Sequence, residues 1–317
     1  MDIVWFGEDS SLDVSLVGGK AASLSRLATR YRVPPAFCLT TEAYDAWSRT
    51  ARPAHVQMPP KLPRGLRDAI RHAYQQLGLR CQDDPLRVAV RSSAVDEDGA
   101  EASFAGQHET FLNVIGEDAV FDALVRCWNS GRSQRALAYR RESGLEGDRV
   151  RLAVLVQQLV PADTSAVVFS ADPVSGRRDQ VVIDASFGLG ESIVGGSVTP
   201  DAYRVDKRTN AVIERTLGTK MLMHVPAPEG TREVPVPRAL RSQPALTDDQ
   251  CARCADLAVA LEAEWGHPVD LECAFHAGEL YLLQCRPITR LPADPAGEAP
   301  SDSKHDREDP PAPGHQA

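Results

Sequence analysis

The sequence predicts an α+β protein built as about two domains, or as one domain with two lobes. Three observations carry that reading. The chain has 317 residues, enough for a substantial core and more than one small compact unit. Apolar residues recur at helical spacing in the first half and again beyond residue 250. Short Val-rich runs separated by turn residues crowd the second half, and these read as strands.

Taken in order, the first forty residues read as a strand, a glycine turn, a helix and a proline-marked strand. Val17-Gly18-Gly19-Lys20 leads into Ala21-Ala22-Ser23-Leu24-Ser25-Arg26-Leu27, a helix-favouring run that starts just after two glycines. Residues 31–41 are strand-like, broken by Pro34 and Pro35. Residues 61–80 read as a helix with Leu66, Ile70, Ala73 and Leu77 on one stripe, and residues 87–93 as a short strand. Residues 117–142 read as a helix with Phe121, Leu124, Val125 and Trp128 on one stripe. In the second half, residues 152–160, 166–170 and 180–187 are strands, parted by turn chemistry such as Asp172-Pro173-Val174-Ser175-Gly176. Five prolines between residues 226 and 244 mark a surface excursion. Thr247-Asp248-Asp249-Gln250 then predicts a capping box opening a helix, with the Asp pair at its positive end. From Leu291 onward almost nothing is apolar, so a disordered tail is expected.

Composition excludes several functions. With 43% hydrophobic and 25% charged residues the chain is an ordinary soluble one, and a formal net charge of −9 argues against nucleic acid as a partner. ATP remains compatible where a few Lys and Arg converge and a metal screens the phosphates. Seven scattered Cys read as reduced, buried thiols of a cytoplasmic protein. Cys251 and Cys254 invite a metal reading. They share an apolar helix stripe with Ala255, Ala258 and Leu261, however, and no second ligand pair follows, so core packing is favoured. No secretory signal opens the chain, and no apolar run approaches the roughly 20 residues that span a bilayer, so neither export nor a membrane is expected.

The densest chemistry lies in residues 270–286, which read as a hairpin around His276-Ala277-Gly278. With a three-residue loop, Phe275 pairs with Glu279, Asp270 lies opposite Gln284, and Glu272 opposite Leu282. Alternation then puts Asp270, Glu272, Gln284 and Arg286 on one face. Leu271, Cys273, Tyr281, Leu283 and Cys285 take the apolar face. A two-residue loop would break this parity. The polar patch suits Mg²⁺, which takes one or two protein oxygens and shares the rest of its shell with phosphates and water. Arg286 can fork onto a phosphate. From the hairpin alone, an exposed polar sheet face is an equal reading. Gly18-Gly19-Lys20 offers amides and an ammonium to an anion, though it is not a Walker A loop, since Val14 and Ala21 depart from that pattern. Arg91 ends a buried strand, and Ser103-Phe104-Ala105-Gly106-Gln107-His108-Glu109-Thr110 is small enough to lie over a phosphate chain.

Several stretches fall in one family's order and approximate spacing. They are Gly19-Lys20-Ala21-Ala22-Ser23-Leu24, Val33-Pro34-Pro35-Ala36-Phe37-Cys38-Leu39-Thr40-Thr41-Glu42-Ala43-Tyr44, Val90-Arg91-Ser92-Ser93-Ala94, Ser103-Phe104-Ala105-Gly106-Gln107, Gly188-Leu189-Gly190-Glu191 and Leu283-Gln284-Cys285-Arg286-Pro287-Ile288-Thr289. Over about residues 3–290 the chain resembles the ATP-binding domain shared by phosphoenolpyruvate synthase, pyruvate phosphate dikinase and rifampin phosphotransferase. The resemblance implies an α+β, ATP-grasp-like fold, with the nucleotide held between an N-terminal lobe (1–155) and a C-terminal lobe (156–290), followed by a tail (291–317). It implies that Lys20 and Arg91 contact phosphates and that Gly106, Gln107 and Thr110 form the loop over them. Gln157, Gln158, Leu159 and Val160 correspond to a hinge whose backbone reads the adenine edge. Asp270 and Glu272 take ribose and metal positions, Gln284 joins Glu272 at Mg²⁺, and Arg286 contacts phosphate. Gly188-Leu189-Gly190-Glu191 is not a dinucleotide fingerprint, because Ile193 stands where the third glycine belongs.

In that family ATP is cleaved toward AMP, and a histidine on a swivelling domain carries the β-phosphoryl group to pyruvate or another acceptor. The sequence departs from the family here: none of its eight His has the Gly-Gly-x-x-Ser-His neighbourhood, and no acceptor-binding domain is expected within these 317 residues. The expectation is an Mg-ATP-binding module of a dikinase-type phosphotransferase, with ATP and Mg²⁺ as ligands and a separate phosphohistidine and acceptor-binding subunit as partner. A self-contained small-molecule kinase, or a nucleotide-binding regulator without turnover, are the alternatives.

Overall fold

The computed structural model describes residues 2–50, 62–95, 109–133 and 150–294. Gly106, Gln107 and His108 of the expected phosphate loop lie outside the described residues. Two antiparallel sheets organise the chain, and the fold is α+β as expected.

The first sheet contains β1 (Ile3–Trp5), β2 (Ala36–Leu39), β3 (Arg87–Ala94), β4 (Thr110–Ile115) and β5 (Leu152–Gln158), in the order β1-β2-β5-β3-β4. Its helices are α1 (Val14–Leu27), α2 (Thr41–Thr50), α3 (Arg64–Cys81) and α4 (Glu117–Ser130). One sheet face buries Phe37, Leu39, Val88, Val90, Val154 and Val156 against α2, α3 and α4. The expected stripes are the contact surfaces: Leu66, Ile70, Ala73 and Leu77 on α3, and Phe121, Leu124 and Trp128 on α4, are all buried, with Val125 packed beside them.

Three expectations shift here. The strand expected at 31–41 shrinks to Ala36–Leu39, because Pro34 and Pro35 offer no ladder donors. The helix expected at 117–142 ends at Ser130, with residues 134–142 outside the described set. The helix expected after Gly19 gains a preceding turn, so α1 starts at Val14, its N-terminus capped by Asp13 accepting from Ser15 N at 2.8 Å. Gly18 keeps a non-helical conformation inside it (φ 78°, ψ 165°).

The second sheet contains β6 (Thr164–Phe169), β7 (Gln180–Phe187), β8 (Asp201–Asp206), β9 (Val212–Thr216), β12 (Val269–His276) and β13 (Glu279–Pro287), in the order β13-β12-β6-β7-β8-β9. Between them lie α5 (Glu191–Val194), β10 (Leu222–Pro226), β11 (Thr231–Pro235), α6 (Arg238–Arg241) and α7 (Asp248–Trp265). The proline-rich excursion is therefore partly regular. Its β10–β11 hairpin carries Pro226 and Pro235 at strand ends, where no donor is needed, and turns through Gly230 (φ 61°). The capping box forms as expected: Thr247 Oγ1 accepts from Gln250 N at 3.2 Å, and Gln250 Oε1 accepts from Thr247 N at 2.9 Å.

The α7 face of this sheet buries Val168, Ile183, Tyr203, Leu271, Cys273 and Phe275 with Cys251, Cys254, Ala258 and Leu261. Cys251 and Cys254 are free thiols in that core, and no group of three or more His, Cys, Asp or Glu among the described residues is arranged for a metal. Burial pushes the thiols of Cys127 and Cys251 up to about 12 and that of half-buried Cys81 to about 11. A native chain at pH 8 is therefore expected to resist a thiol reagent, with Cys81 the first to react and all seven reacting after denaturation. Fast native labelling of Cys251 and Cys254 would contradict the packing. No helix among the described residues is long and apolar enough to cross a membrane.

Candidate functional site

Strand alternation builds the site from both sheets. On β3, Val88 and Val90 point to the helices, so Ala89, Arg91 and Ser93 point the opposite way. Arg91 is 8% exposed and reaches the hairpin of the other sheet. Its Nη2 donates to Glu272 Oε2 at 2.7 Å and to Gln284 Oε1 at 3.0 Å, while Nη1 donates to Leu283 O at 2.9 Å. Arg91 Nε is buried without a hydrogen-bond partner among the described residues.

Leu283 is where the hairpin departs from expectation. The turn is Ala277-Gly278, two residues at φ 50° and 79°, not three. Phe275 therefore pairs with Leu280 in place of Glu279. A β-bulge then inserts Leu283, so Glu272 pairs with Gln284 in place of Leu282, and Asp270 with Arg286 in place of Gln284. The short loop and the bulge offset each other, and Asp270, Glu272, Gln284 and Arg286 still share one face. The apolar face does change: Leu280 and Leu282 pack into the core, whereas Tyr281 and Leu283 do not. The bulged carbonyl is the one that receives Arg91.

Asp270 accepts from Arg286 Nε and Nη2, both at 2.7 Å. Burial raises the Asp270 carboxyl above its usual range, and Arg286 only partly reverses this. Glu272 goes the other way. Burial would raise it, but the Arg91 charge and hydrogen bond, helped by Lys20 and Arg286, hold it below the usual carboxylate range.

Lys20 is buried on α1, its Nζ donating to Ser92 O at 3.1 Å. The glycines before it permit a close approach. A Cβ at Gly18 would stand 2.3 Å from Ser93 O, and Ser93 Oγ accepts from Ala21 N at 3.1 Å. Gly18-Gly19-Lys20 thus presses α1 onto β3 and brings Lys20 beside Arg91. Thr110 is exposed at the head of β4, paired with Arg91.

The segment 157–160 joins the two sheets. Gln157 is buried and donates its amide to Pro34 O at 3.3 Å; Gln158 N donates to Pro35 O and Leu159 N to Arg87 O, each at 2.9 Å. Leu159 and Val160 are both buried. Ala89, Leu159 and Leu189 form a small separate apolar cluster there, with Leu112 and Ala162 against it. Gly188 lies at the edge of this cluster for a local reason: at φ 76°, a Cβ would meet His224 O at 2.4 Å.

Two contributors escaped the sequence reading. The Leu283 carbonyl had no signal, because a bulge is set by tertiary contact. Asn113 is fully buried in the left-handed region (φ 55°), donating to Ala227 O and Gly230 O at the β10–β11 turn at 2.6 and 2.5 Å. Asn is the residue type that tolerates that conformation, but nothing local marked this one.

The arrangement is thus two arginines, a lysine, two carboxylates and an amide oxygen converging from both sheets. Comparison with known proteins places the chain in a family. Residues 54–307 match the pyruvate phosphate dikinase, AMP/ATP-binding domain. A probable phosphoenolpyruvate synthase of Methanocaldococcus jannaschii is 37% identical over 91% of this chain and 27% of its own length. A rifampicin phosphotransferase of Streptomyces sviceus is 38% identical over 88% of this chain and 35% of its own. The phosphoenolpyruvate synthase of Pyrococcus furiosus is 35% identical over 93% of this chain and 45% of its own. The chain therefore spans less than half the length of these relatives. Cdc123 from Schizosaccharomyces pombe aligns at a TM-score of 0.41 and 10% identity, covering 84% of this chain and 81% of that one. D-alanyl-alanine synthetase A from Vibrio cholerae aligns at 0.34 and 13%, covering 84% and 54%. Those two likenesses are too loose to add weight, but the sequence match is long and specific, and the chain belongs to the family of the pyruvate phosphate dikinase AMP/ATP-binding domain.

Proposed function

We propose that the chain is the Mg-ATP-binding module of a dikinase-type phosphotransferase, in which ATP is cleaved toward AMP and the β-phosphoryl group passes to a histidine on a separate domain or subunit. The observation that carries this is the meeting of Lys20, Arg91 and Arg286 around Glu272 and Gln284, where α1 and β3 approach the β12–β13 hairpin. Phosphoryl transfer needs little covalent chemistry from the protein beyond positioning and charge neutralisation. Lys20, Arg91 and Arg286 supply fixed positive charge, and all three come already oriented by hydrogen bonds.

The donor set fits a divalent cation. Glu272 Oε2 and Gln284 Oε1 converge on one cationic nitrogen of Arg91, so both oxygens already face a single positive centre. Mg²⁺ typically takes one or two protein oxygens, and Glu272 and Gln284 are those residues here. Bound with ATP, the ion would screen the phosphate charge. Arg91 then exchanges Glu272 for phosphate oxygens, while Asp270 continues to orient Arg286. The segment 157–160 and its apolar cluster hold the adenine end, with Thr110 on the phosphate side next to Arg91.

Calorimetric titration tests this reading. ATP is expected to bind the chain with Mg²⁺ present and about ten-fold or more weakly without it, and Glu272→Gln to erase the difference. Equal binding with and without Mg²⁺ in the wild-type chain contradicts the metal assignment.

A further inference from the structure

β7 carries a carboxylate on the cleft side that the phosphate set does not use. The register fixes its place: Gln284 lies opposite Glu272, Glu272 opposite Val167, and Val167 opposite Asp184. Directly opposed residues of an antiparallel sheet project to the same side, so Asp184 faces the cleft with Glu272. The alternate residues Val181, Ile183 and Ala185 are buried in the core on the other side. Two strand spacings separate Asp184 from Glu272, about 10 Å.

The fold makes no use of Asp184. It is half-buried, and no described residue donates a hydrogen bond to it. Burial raises its carboxyl above the usual range, and Arg204, the one charge acting on it, only partly opposes this. The Arg204 guanidinium is itself engaged by Asp172 and Glu214. A half-buried carboxylate without a donor costs stability unless a ligand supplies one.

Position indicates which ligand. Asp184 lies on the strand that runs, through Phe187 and Gly188, into Leu189 of the apolar cluster at segment 157–160. Across the sheet it looks toward Glu272 and Gln284. This sheet face thus carries the carboxylate two strands from the cationic and metal-binding residues, on a strand that leads into the apolar cluster. A nucleotide has the same order of chemistry: apolar base, hydroxyl-bearing sugar, charged phosphates. Asp270, which the resemblance puts in a ribose position, is held by two hydrogen bonds from Arg286.

We propose that Asp184 reads the ribose hydroxyls of the bound nucleotide, a specificity role that rests on the reading of the cleft as an ATP site. A carboxylate only accepts, and two adjacent sugar hydroxyls only need an acceptor to complete their bonding, so the match is chemical as well as positional.

Titration of the wild-type chain and of Asp184→Ala with Mg-ATP and with Mg-2′,3′-dideoxy-ATP tests the inference. The wild-type chain is expected to prefer ATP by about ten-fold or more, the usual effect of hydrogen bonds to a charged group. Asp184→Ala should weaken ATP by a similar factor and leave dideoxy-ATP unchanged, so that the preference disappears. Asp184→Asn should melt no lower than the wild-type chain, which separates a binding role from a folding one. Preference for ATP retained in Asp184→Ala overturns the ribose assignment and leaves the ATP site standing. A wild-type chain that binds neither nucleotide overturns the reading of the cleft, and this inference with it.

Discussion

Arg91→Ala is expected to weaken Mg-ATP binding about 100-fold, the sum of charge-assisted hydrogen bonds lost to phosphate. It should also destabilise the free chain. Arg91 ties β3 to Glu272, Gln284 and the bulged Leu283 carbonyl, and it is largely buried. Removing it leaves Glu272 without the partner that offsets its burial, at a cost on the order of 3 kcal/mol. The two effects separate by pH. Glu272 titrates below its ordinary value of 4.5 in the folded chain, so its pairing stabilises the fold above about pH 4.5 and loses that contribution as pH falls through the depressed value. The stability gap between wild type and Arg91→Ala should therefore be full at pH 7 and narrow below pH 4.5. A gap independent of pH would show that the Glu272 pair contributes nothing to it. Arg91→Lys keeps the charge but cannot reproduce the forked geometry, and should recover only part of the ATP affinity.

Asp201→Ala is expected to have the largest effect on folding. Asp201 and Lys220 are both fully buried and paired, and Lys220 Nζ also donates to Gly218 O at 3.1 Å. Asp201 further accepts from Gly218 N at 2.8 Å, Ala245 N at 2.7 Å and Tyr203 Oη at 3.2 Å. Its removal leaves a buried ammonium without its counter-charge and two backbone donors without an acceptor, a loss of about 3–5 kcal/mol from a fold whose total stability is about 5–15. Lys220→Met should cost less, because the carboxylate keeps three donors. Urea unfolding of the two variants checks the order, and Lys220→Met proving the more damaging would show that the ammonium matters more than the network around Asp201.

What the sequence made legible follows from how local each determinant is. The α3 and α4 stripes were readable because a periodic apolar face has few ways to be buried. The α7 capping box was readable because both its bonds close within four residues. The polar face of the β12–β13 hairpin was foreseen, but through a register the structure replaces. Ala277-Gly278 is a weaker turn signal than Asn-Gly, and the Leu283 bulge answers to Arg91, 192 positions earlier in the chain. Lys220 reads in sequence as one more surface lysine between Thr219 and Met221. Its partner is 19 residues away across a turn, so only the folded chain shows that it is interior. Asp184 likewise looks like an ordinary strand residue until the pairing of β7, β6 and β12 puts it on the cleft side.

We propose that this chain binds Mg-ATP and leaves the acceptor chemistry to another domain. Phosphorus NMR of the purified chain with Mg-ATP, with intact-protein mass measured in parallel, tests it most directly. The expected result is ATP that binds and persists, with no ADP, AMP or phosphorylated chain. ADP or AMP accumulating in proportion to active chain would contradict the claim and identify a catalytically self-sufficient module.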